Sequence, residues 1–210
     1  MDSTAMPVNM PAYFIADALG LDFLNAIATT TDGPVDWIGD GKGLVDWLRQ
    51  AALVPEPELD AIAGRAMPGE LDRVADQARD LREWFRGFVT SHMGKPLTAG
   101  MLQDLAPLNR LLERDEAFSR ITLHDGNHLA LETARRWRSP EGLLLPIGEA
   151  MARVVVEEDF TQVKACQGSG CTLLFADHTR SRSRRWCSMS VCGNRSKVSS
   201  HRSRRKAAEV

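Results

Sequence analysis

Hydrophobic and polar residues alternate with a helical period in the middle of the chain. Over residues 70–93, apolar residues recur every three or four positions. This spacing places them in one stripe along a helix, with charged residues on the opposite side. We therefore predict a long amphipathic helix whose stripe faces the core. The stripe consists of Leu71, Val74, Ala75, Ala78, Leu81, Phe85, Phe88 and Val89.

Five further segments favour helices. The strongest begins at Ser139, Pro140 and Glu141. Serine can cap a helix, proline suits its first turn, and an acidic residue interacts favourably with its positive end. The segment is apolar nearly all round as far as Val155, so we expect it to be the central buried helix. The other predicted helices cover residues 12–30, 43–53, 58–67 and 98–112.

Residues 119–132 change to a period of two, which is typical of paired β-strands. The turn sequence Asp-Gly-Asn lies at their centre, at residues 125–127. A three-residue turn there pairs the aliphatic residues on its two sides and puts all four on one face. The sequence therefore predicts a mainly α fold with a short β-hairpin. The aliphatic face carries Ile121, Leu123, Leu129 and Leu131.

Charge divides the chain into two parts. The net charge is −2, but residues 161–210 hold 11 Lys and Arg and only two acidic residues, Asp177 and Glu209. Residues 1–160 hold 15 Lys and Arg against 26 Asp and Glu. Such a split indicates two units with different partners. We predict a mainly helical acidic domain over residues 1–160 and a basic module over residues 161–210.

Several classes of protein are disfavoured by the sequence. No apolar stretch reaches the ~18 residues that a membrane span requires, and the N-terminus lacks a basic start followed by an apolar run. No glycine-rich phosphate loop and no common zinc-protease or serine-hydrolase motif is present. We therefore expect a cytoplasmic protein that is not an enzyme and has no membrane partner.

All four cysteines lie in the basic module, in two close pairs. Fifteen residues separate the pair Cys166 and Cys171 from the pair Cys187 and Cys192. Four thiolates bind zinc at tetrahedral corners and leave no open position for a substrate, so such a site is structural. Disulfides, the competing interpretation, are disfavoured in a reducing cytosol. We predict one structural zinc ion per chain, held by all four cysteines.

The basic module is too small to fold by apolar packing alone. A unit of about 50 residues usually requires a metal or a similar staple. We expect two strands, over residues 163–166 and 172–176, and a helix from about residue 190, in a treble-clef-like or ribbon-like arrangement. His178 and His201 could substitute for a cysteine ligand, although four cysteines already complete the coordination shell.

The basic module resembles the CGNR zinc finger over about residues 160–206. The likeness rests on the cysteine spacing, on Trp186 and on the sequence Cys-Gly-Asn-Arg at residues 192–195. Proteins with this finger commonly carry an N-terminal ABATE domain, from a family of proposed stress-induced transcription regulators. The resemblance implies a zinc-binding regulator. Further matching positions are Phe175, Asp177, Arg184, Arg185, Ser188, Met189 and Lys197.

The N-terminal part resembles the ABATE domain. Its sequence Leu-Asp-Phe-Leu-Asn, at residues 21–25, is similar to the opening motif, and Leu44, Trp47 and Leu48 also fit. Ala26 stands where a threonine is usual. Polar residues here could line a ligand pocket, which would indicate ligand sensing coupled to DNA binding, or could cap and tie helices. The candidate pocket residues are Asp22, Asn25 and Asp36.

Basic residues flank the second cysteine pair. Basic side chains gain affinity for phosphates by displacing counterions, and a helix after the last cysteine could enter the major groove of DNA. DNA is therefore the expected partner. RNA is the alternative, although only Phe175 and Trp186 are available for base stacking, and a protein-interaction module is a third interpretation. The sequence carries no signal of the oligomeric state. The candidate contacts are Arg180, Arg182, Arg184 and Arg185 before the pair, and Arg195, Lys197, Arg202, Arg204, Arg205 and Lys206 after it.

Overall fold

The computed structural model describes residues 10–30 and 33–194 of the chain. Six α-helices and three antiparallel strand pairs form this described part, which confirms the mainly α architecture with short strand pairs. None of its helices is long and apolar enough to span a lipid bilayer. The helices are α1 (Leu19–Leu24), α2 (Gly41–Gln50), α3 (Glu56–Arg65), α4 (Glu70–His92), α5 (Ala106–Leu112) and α6 (Leu144–Glu157). The strands are β1 (Ile27–Thr30), β2 (Gly33–Asp36), β3 (Ala117–His124), β4 (His128–Arg135), β5 (Val163–Ala165) and β6 (Leu174–Ala176).

Two helices form the centre of the fold, as the hydrophobic pattern predicts. α4 covers the expected segment and buries Val74, Phe85 and Val89 completely. α6 is buried over most of its surface and packs against α1, α4 and α5. The crossing of α1 and α6 is close at Gly20, where a Cβ would lie 2.5 Å from the carbonyl oxygen of Ala150. Glycine is therefore required at this crossing.

The N-terminal segment differs from the expectation. The helix predicted over residues 12–30 is limited to α1, and the β1–β2 hairpin follows it. Residues 12–18 are not helical. Asp22 holds this segment instead, because its carboxylate accepts hydrogen bonds from the backbone amides of Ile15 and Ala16. The helical prediction is wrong here because the carboxylate of Asp22 takes up these backbone amides and holds the segment in a non-helical conformation.

The shorter predicted helices are present with altered ends. α2 and α3 correspond to the segments predicted at residues 43–53 and 58–67. The helix predicted over residues 98–112 is divided into a 3-10 turn, Ala99–Gln103, and α5. Pro107 lies in the first turn of α5, where its missing amide is tolerated. The helix therefore restarts at Ala106, just before the proline.

The β3–β4 hairpin has the register that the sequence predicts. Ile121 pairs with Leu131, Leu123 pairs with Leu129, and residues 125–127 form the turn. All four aliphatic side chains lie on one face of the hairpin, and this face is exposed to solvent. The strands pack mainly on each other rather than on the helices.

The third strand pair, β5–β6, packs on α1. Phe160, Val163, Leu174 and Phe175 are buried in the same cluster as Phe23 of α1. One continuous core therefore extends from the helices into the cysteine module, across the domain boundary that the charge pattern predicts near residue 160.

Candidate metal centre

A tight loop between β5 and β6 carries Cys166 and Cys171. Gly170 in this loop has a φ of +70°, a left-handed conformation that glycine adopts without strain. Gly168 donates its backbone N–H to Sγ of Cys166 at 3.4 Å. A Cβ on Gly168 would lie 2.8 Å from Sγ of Cys192. Glycine therefore lets the loop approach the sulfur of the second cysteine pair.

The second pair, Cys187 and Cys192, lies around a single π-helical turn, Met189–Gly193. The hydroxyl of Ser188 caps this turn by accepting a backbone N–H from within it at 2.9 Å. The backbone N–H of Cys187 donates to Sγ of Cys166 at 3.3 Å, which ties the two pairs together. The helix predicted from residue 190 corresponds to this turn over its described part, and the prediction for residues beyond 194 falls outside the described residues.

The four cysteine sulfurs meet in one cluster. All Sγ atoms lie within 4.8 Å of one another, and those of Cys171 and Cys187 are 4.0 Å apart. Tetrahedral zinc with Zn–S bonds of about 2.3 Å has S···S edges of about 3.8 Å. A small inward movement of the thiols therefore produces the geometry of a structural zinc site with four sulfur ligands.

Proximity changes the protonation of these thiols. A hydrogen bond with Cys187 lowers the pKa of Cys171 to about 5. The same hydrogen bond, followed by burial, raises the pKa of Cys187, and burial raises the pKa of Cys192 to about 11. Several thiolates in this cluster repel one another, and a divalent cation offsets that repulsion. The donor set and its electrostatics therefore fit Zn²⁺.

Comparison with known proteins agrees with this architecture. The model of the ABATE family, described as "Putative stress-induced transcription regulator", matches residues 17–158. The chain belongs to the ABATE family. The model of the CGNR zinc finger matches residues 162–205, so the ABATE domain is followed by a CGNR finger that holds one structural zinc ion. Among curated proteins, none matches the chain significantly.

Asp177 organises the backbone of the CGNR finger. It is fully buried, and its carboxylate accepts hydrogen bonds from Nζ of Lys164 at 2.6 Å and from the backbone amides of Thr179 and Arg184. Burial alone would raise its pKa, but the lysine and these hydrogen bonds hold the pKa of Asp177 well below its usual range. The carboxylate therefore stays charged and fixes three segments of the finger.

Arg184 joins the finger to the ABATE domain. Its guanidinium donates to Oδ2 of Asp17 at 2.6 Å and to the carbonyl oxygen of Ile15 at 2.7 Å. It also donates to the carbonyl oxygen of Cys187 and lies 4.3 Å from the ring centroid of Phe175. These contacts occupy both its charge and its planar face, so Arg184 acts as a brace in this structure.

Asn25 forms a second link between the domains. It is fully buried, and its side chain accepts the backbone N–H of Leu174 at 2.9 Å and donates to the carbonyl oxygen of the same residue at 2.8 Å. The amide thus takes the place of a neighbouring strand beside β6.

His178, considered as a substitute zinc ligand, instead contacts Glu158 of the ABATE domain at 2.6 Å and lies outside the cysteine cluster. His201 lies outside the described residues.

The other predicted nucleic-acid contacts differ in their surroundings. Arg180 is exposed and has no side-chain partner within the described residues. Arg185 is also exposed and donates to the side chain of Gln167 at 2.7 Å. Arg182 donates to the carbonyl oxygen of Asp177. The remaining six candidates, Arg195, Lys197, Arg202, Arg204, Arg205 and Lys206, lie outside the described residues.

The three candidate pocket residues are engaged within the protein. Asp22 and Asn25 lie on α1 and at its end, and they hold the preceding segment and β6. Asp36 ends β2 and receives hydrogen bonds from Arg82 of α4 at 2.7 and 2.6 Å. The structure therefore brings two of the three residues close to the finger and places the third against α4. A ligand pocket formed by them stays a prediction.

Sequence patterns assign no role to Lys164 or Gln167, and they include Asp177 only as a matching position. One usable signal was that Asp177 is the only acidic residue of the basic module apart from Glu209. A lone acid among many basic residues is a candidate for a buried ion pair. The lysine and the amide carry no comparable signal, because their partners come from distant loops.

Proposed function

We propose that this chain is a zinc-dependent, DNA-binding transcription regulator that acts in the cytoplasm. The CGNR finger and its basic tail contact DNA, and the ABATE domain senses a ligand or a partner. The family assignment supports a regulatory role. A zinc ion held by four thiolates has no open coordination position for a substrate, so its role is to stabilise the finger. We therefore propose that the chain acts by binding rather than by catalysis.

The observation that carries this proposal is the lack of exposed acid on the described part of the finger. Over residues 161–194, Asp177 is the only acidic residue, and it is fully buried. Arg180 and Arg185 stay exposed, and the sequence adds six basic residues over 195–206. The charges of Arg180 and Arg185 are therefore not offset by acidic side chains of the finger itself, which favours binding to a polyanion.

DNA is favoured over RNA by the aromatic residues of the finger. Recognition of single-stranded RNA usually requires exposed rings on which bases can stack. Phe175 is fully buried and covered by Arg184, and Trp186 is half-buried against the core. The guanidinium of Arg185 lies over the ring of Trp186, 5.1 Å from its centroid, so neither ring offers an uncovered stacking platform. Contacts with phosphates, which duplex DNA supplies, fit the basic side chains better.

The test is a fluorescence-anisotropy titration of the zinc-loaded chain with duplex DNA and with single-stranded RNA of equal length. We expect the Kd for DNA to rise by about a hundredfold or more between about 50 and 200 mM salt. Replacing four basic residues of the tail by Gln should remove most of the binding. These residues are Arg202, Arg204, Arg205 and Lys206.

The matched control removes the same number of charges from the ABATE domain. Its residues Lys42, Arg110, Arg120 and Arg138 are exposed, and their replacement by Gln should leave DNA affinity nearly unchanged. Tighter binding to RNA would favour the RNA alternative. Binding that ignores salt, or that survives loss of the basic tail, would favour a protein-interaction module.

The proposed sensing role has a structural candidate in a cleft of about 340 Å³ beside α1 and α6. Asp17 and Glu158 line it, and both also contact the finger, through Arg184 and His178. A ligand that engages these carboxylates would compete with those contacts. Asp17→Asn should therefore change DNA affinity while zinc content stays constant, and unchanged affinity would argue against this coupling.

A further inference from the structure

The β3–β4 hairpin exposes an apolar face that no other described part of the chain covers. Ile121, Leu123, Leu129 and Leu131 are 71%, 68%, 76% and 76% exposed. They form two neighbouring cross-strand pairs in the hairpin register. Four aliphatic side chains at these exposures present several hundred Å² of apolar surface, a size at which exposed patches mark interaction sites.

The hairpin departs from the usual arrangement of a sheet, because both of its faces are largely exposed to solvent. Antiparallel sheets commonly place their apolar face on the core and their polar face in water. Here the opposite face carries an ion pair between Arg120 and Glu132 at 3.2 Å. The base of the hairpin is anchored, because Arg135 pairs with Asp115 at 2.6 Å and with Glu149 of α6 at 3.1 Å. The hairpin is therefore fixed to the helices at its base, while the aliphatic side chains beyond the base stay open to solvent.

The chemistry of this face fits an apolar protein surface. Ser119 and Thr133, which flank the aliphatic residues on the same face, are uncharged, so the face does not attract a polyanion. Residues 124–128 at the end of the hairpin read His-Asp-Gly-Asn-His. Insertion of this end into lipid would strip Asp125 of its hydration at a high cost in free energy.

We propose that this face is the contact between two copies of the chain, with their hairpins stacked face to face about a two-fold axis. A two-by-two array of aliphatic side chains is matched by a copy of itself, so each side chain meets an apolar partner. The other exposed large apolar side chains of the described residues lie singly on different elements. They are Met67, Leu102, Val156 and Met189.

This distribution also determines the form of the assembly. A contact between two different patches can grow into a filament, whereas a patch that pairs with itself closes as a dimer. No second group of aliphatic residues is exposed on one element within the described residues, so the contact closes. A standard interface buries about 800 Å² per partner, and the hairpin face supplies its apolar centre. The proposal does not depend on DNA binding.

Sedimentation equilibrium of the zinc-loaded full-length chain tests this dimer. Over about 1–100 μM protein, we expect a monomer–dimer equilibrium, as suits an interface near the small end of the standard size. Leu123→Lys combined with Leu131→Lys places a charge on each strand of the face and should raise the dimer Kd by at least a hundredfold. Far-UV circular dichroism and zinc content should match those of the wild type.

A second variant keeps strand-forming residues in the hairpin: Ile121→Thr combined with Leu129→Thr should also be monomeric. The matched control is Met67→Lys combined with Val156→Lys. Met67 lies just before α4 and Val156 lies on α6, and both side chains are about as exposed as those of the hairpin face. This variant should still dimerise. A wild type that is monomeric throughout the range overturns the proposal and leaves the face to a different partner. Dimers that persist in both hairpin variants overturn it as well.

Discussion

Asp22 is 6% exposed, and its carboxylate accepts the backbone amides of Ile15 and Ala16 at 2.8 and 2.9 Å. The carbonyl oxygens of the same two residues receive hydrogen bonds from the finger, one from Arg184 and one from the amide of Ala176. A single buried carboxyl therefore shapes the segment on which the finger rests. Burial raises the pKa of Asp22 to about 6, against the lowering effect of its two hydrogen bonds.

This raised pKa predicts a pH-dependent stability that Asp22→Asn removes. The unfolded carboxyl has a pKa near 3.8, so between about pH 4 and 6 the folded state binds more protons than the unfolded state. The contribution of Asp22 to wild-type stability therefore falls as pH rises through this window, by about 3 kcal/mol in total. The free energy of unfolding of Asp22→Asn, relative to that of the wild type, should therefore rise by the same amount between about pH 4 and 6. Urea unfolding at several pH values measures this difference.

Asp80→Asn is the control for this comparison, because Asp80 is exposed on α4. Its difference from the wild type should stay flat across the same pH range. A flat difference for Asp22→Asn as well would show that folding does not raise the pKa of this carboxyl.

Single residues also show where prediction from sequence ends. The zinc ligands could be predicted because the spacing of Cys166, Cys171, Cys187 and Cys192 is itself a chemical pattern. The burial of Asp177 could not be predicted, because its partners come from separate loops that only the folded chain brings together. A sequence gives the type of each residue, but it does not show how far the side chain is removed from water in the folded protein.

At the scale of elements, regular patterns were predictive where they were long. The stripe of α4 and the period of two around residues 125–127 each repeat often enough to determine helix length and strand register. The β1–β2 hairpin lacks such a repeat, and its residues Gly33 and Pro34 favour a loop. Contacts from other elements hold it instead, including the ion pair between Asp36 and Arg82.

The link between the finger and the segment before α1 can be tested through Arg184. Arg184→Gln removes the ion pair with Asp17 and the guanidinium over Phe175. We expect the free energy of unfolding to fall by about 2–4 kcal/mol, because a partly buried hydrogen-bond network is broken. Chemical denaturation of the zinc-loaded chain measures this loss.

Arg180→Gln provides a matched control from the same basic segment. Arg180 is exposed and has no side-chain partner within the described residues, so its replacement should change stability by less than about 0.5 kcal/mol. Equal effects of the two substitutions would contradict the bracing role of Arg184 and return it to the group of candidate DNA contacts.

At the scale of the whole molecule, the charge pattern indicates two separate units, whereas the packing indicates one shared core. The charge split predicts two units that meet near residue 160, and that boundary stays a prediction. Packing instead places Leu174 and Phe175 of the finger in one cluster with Phe23 of the ABATE domain, and Asn25 adds two buried hydrogen bonds across the boundary. Shared packing of this kind favours unfolding as one cooperative unit.

Removing zinc should therefore destabilise the helices of the ABATE domain as well as the finger. Metal-binding energy is folding energy for a four-thiolate module, and a finger without zinc no longer covers α1. With a chelator, we expect the helical circular-dichroism signal to melt about 5–10 °C lower, which corresponds to a loss of a few kcal/mol in a chain of this length. Added zinc should restore the original Tm, magnesium should not, and Cys187→Ser should reproduce the lower Tm in the presence of zinc. A helical transition that is unchanged by the chelator would show instead that the two domains fold independently, as the charge pattern predicts.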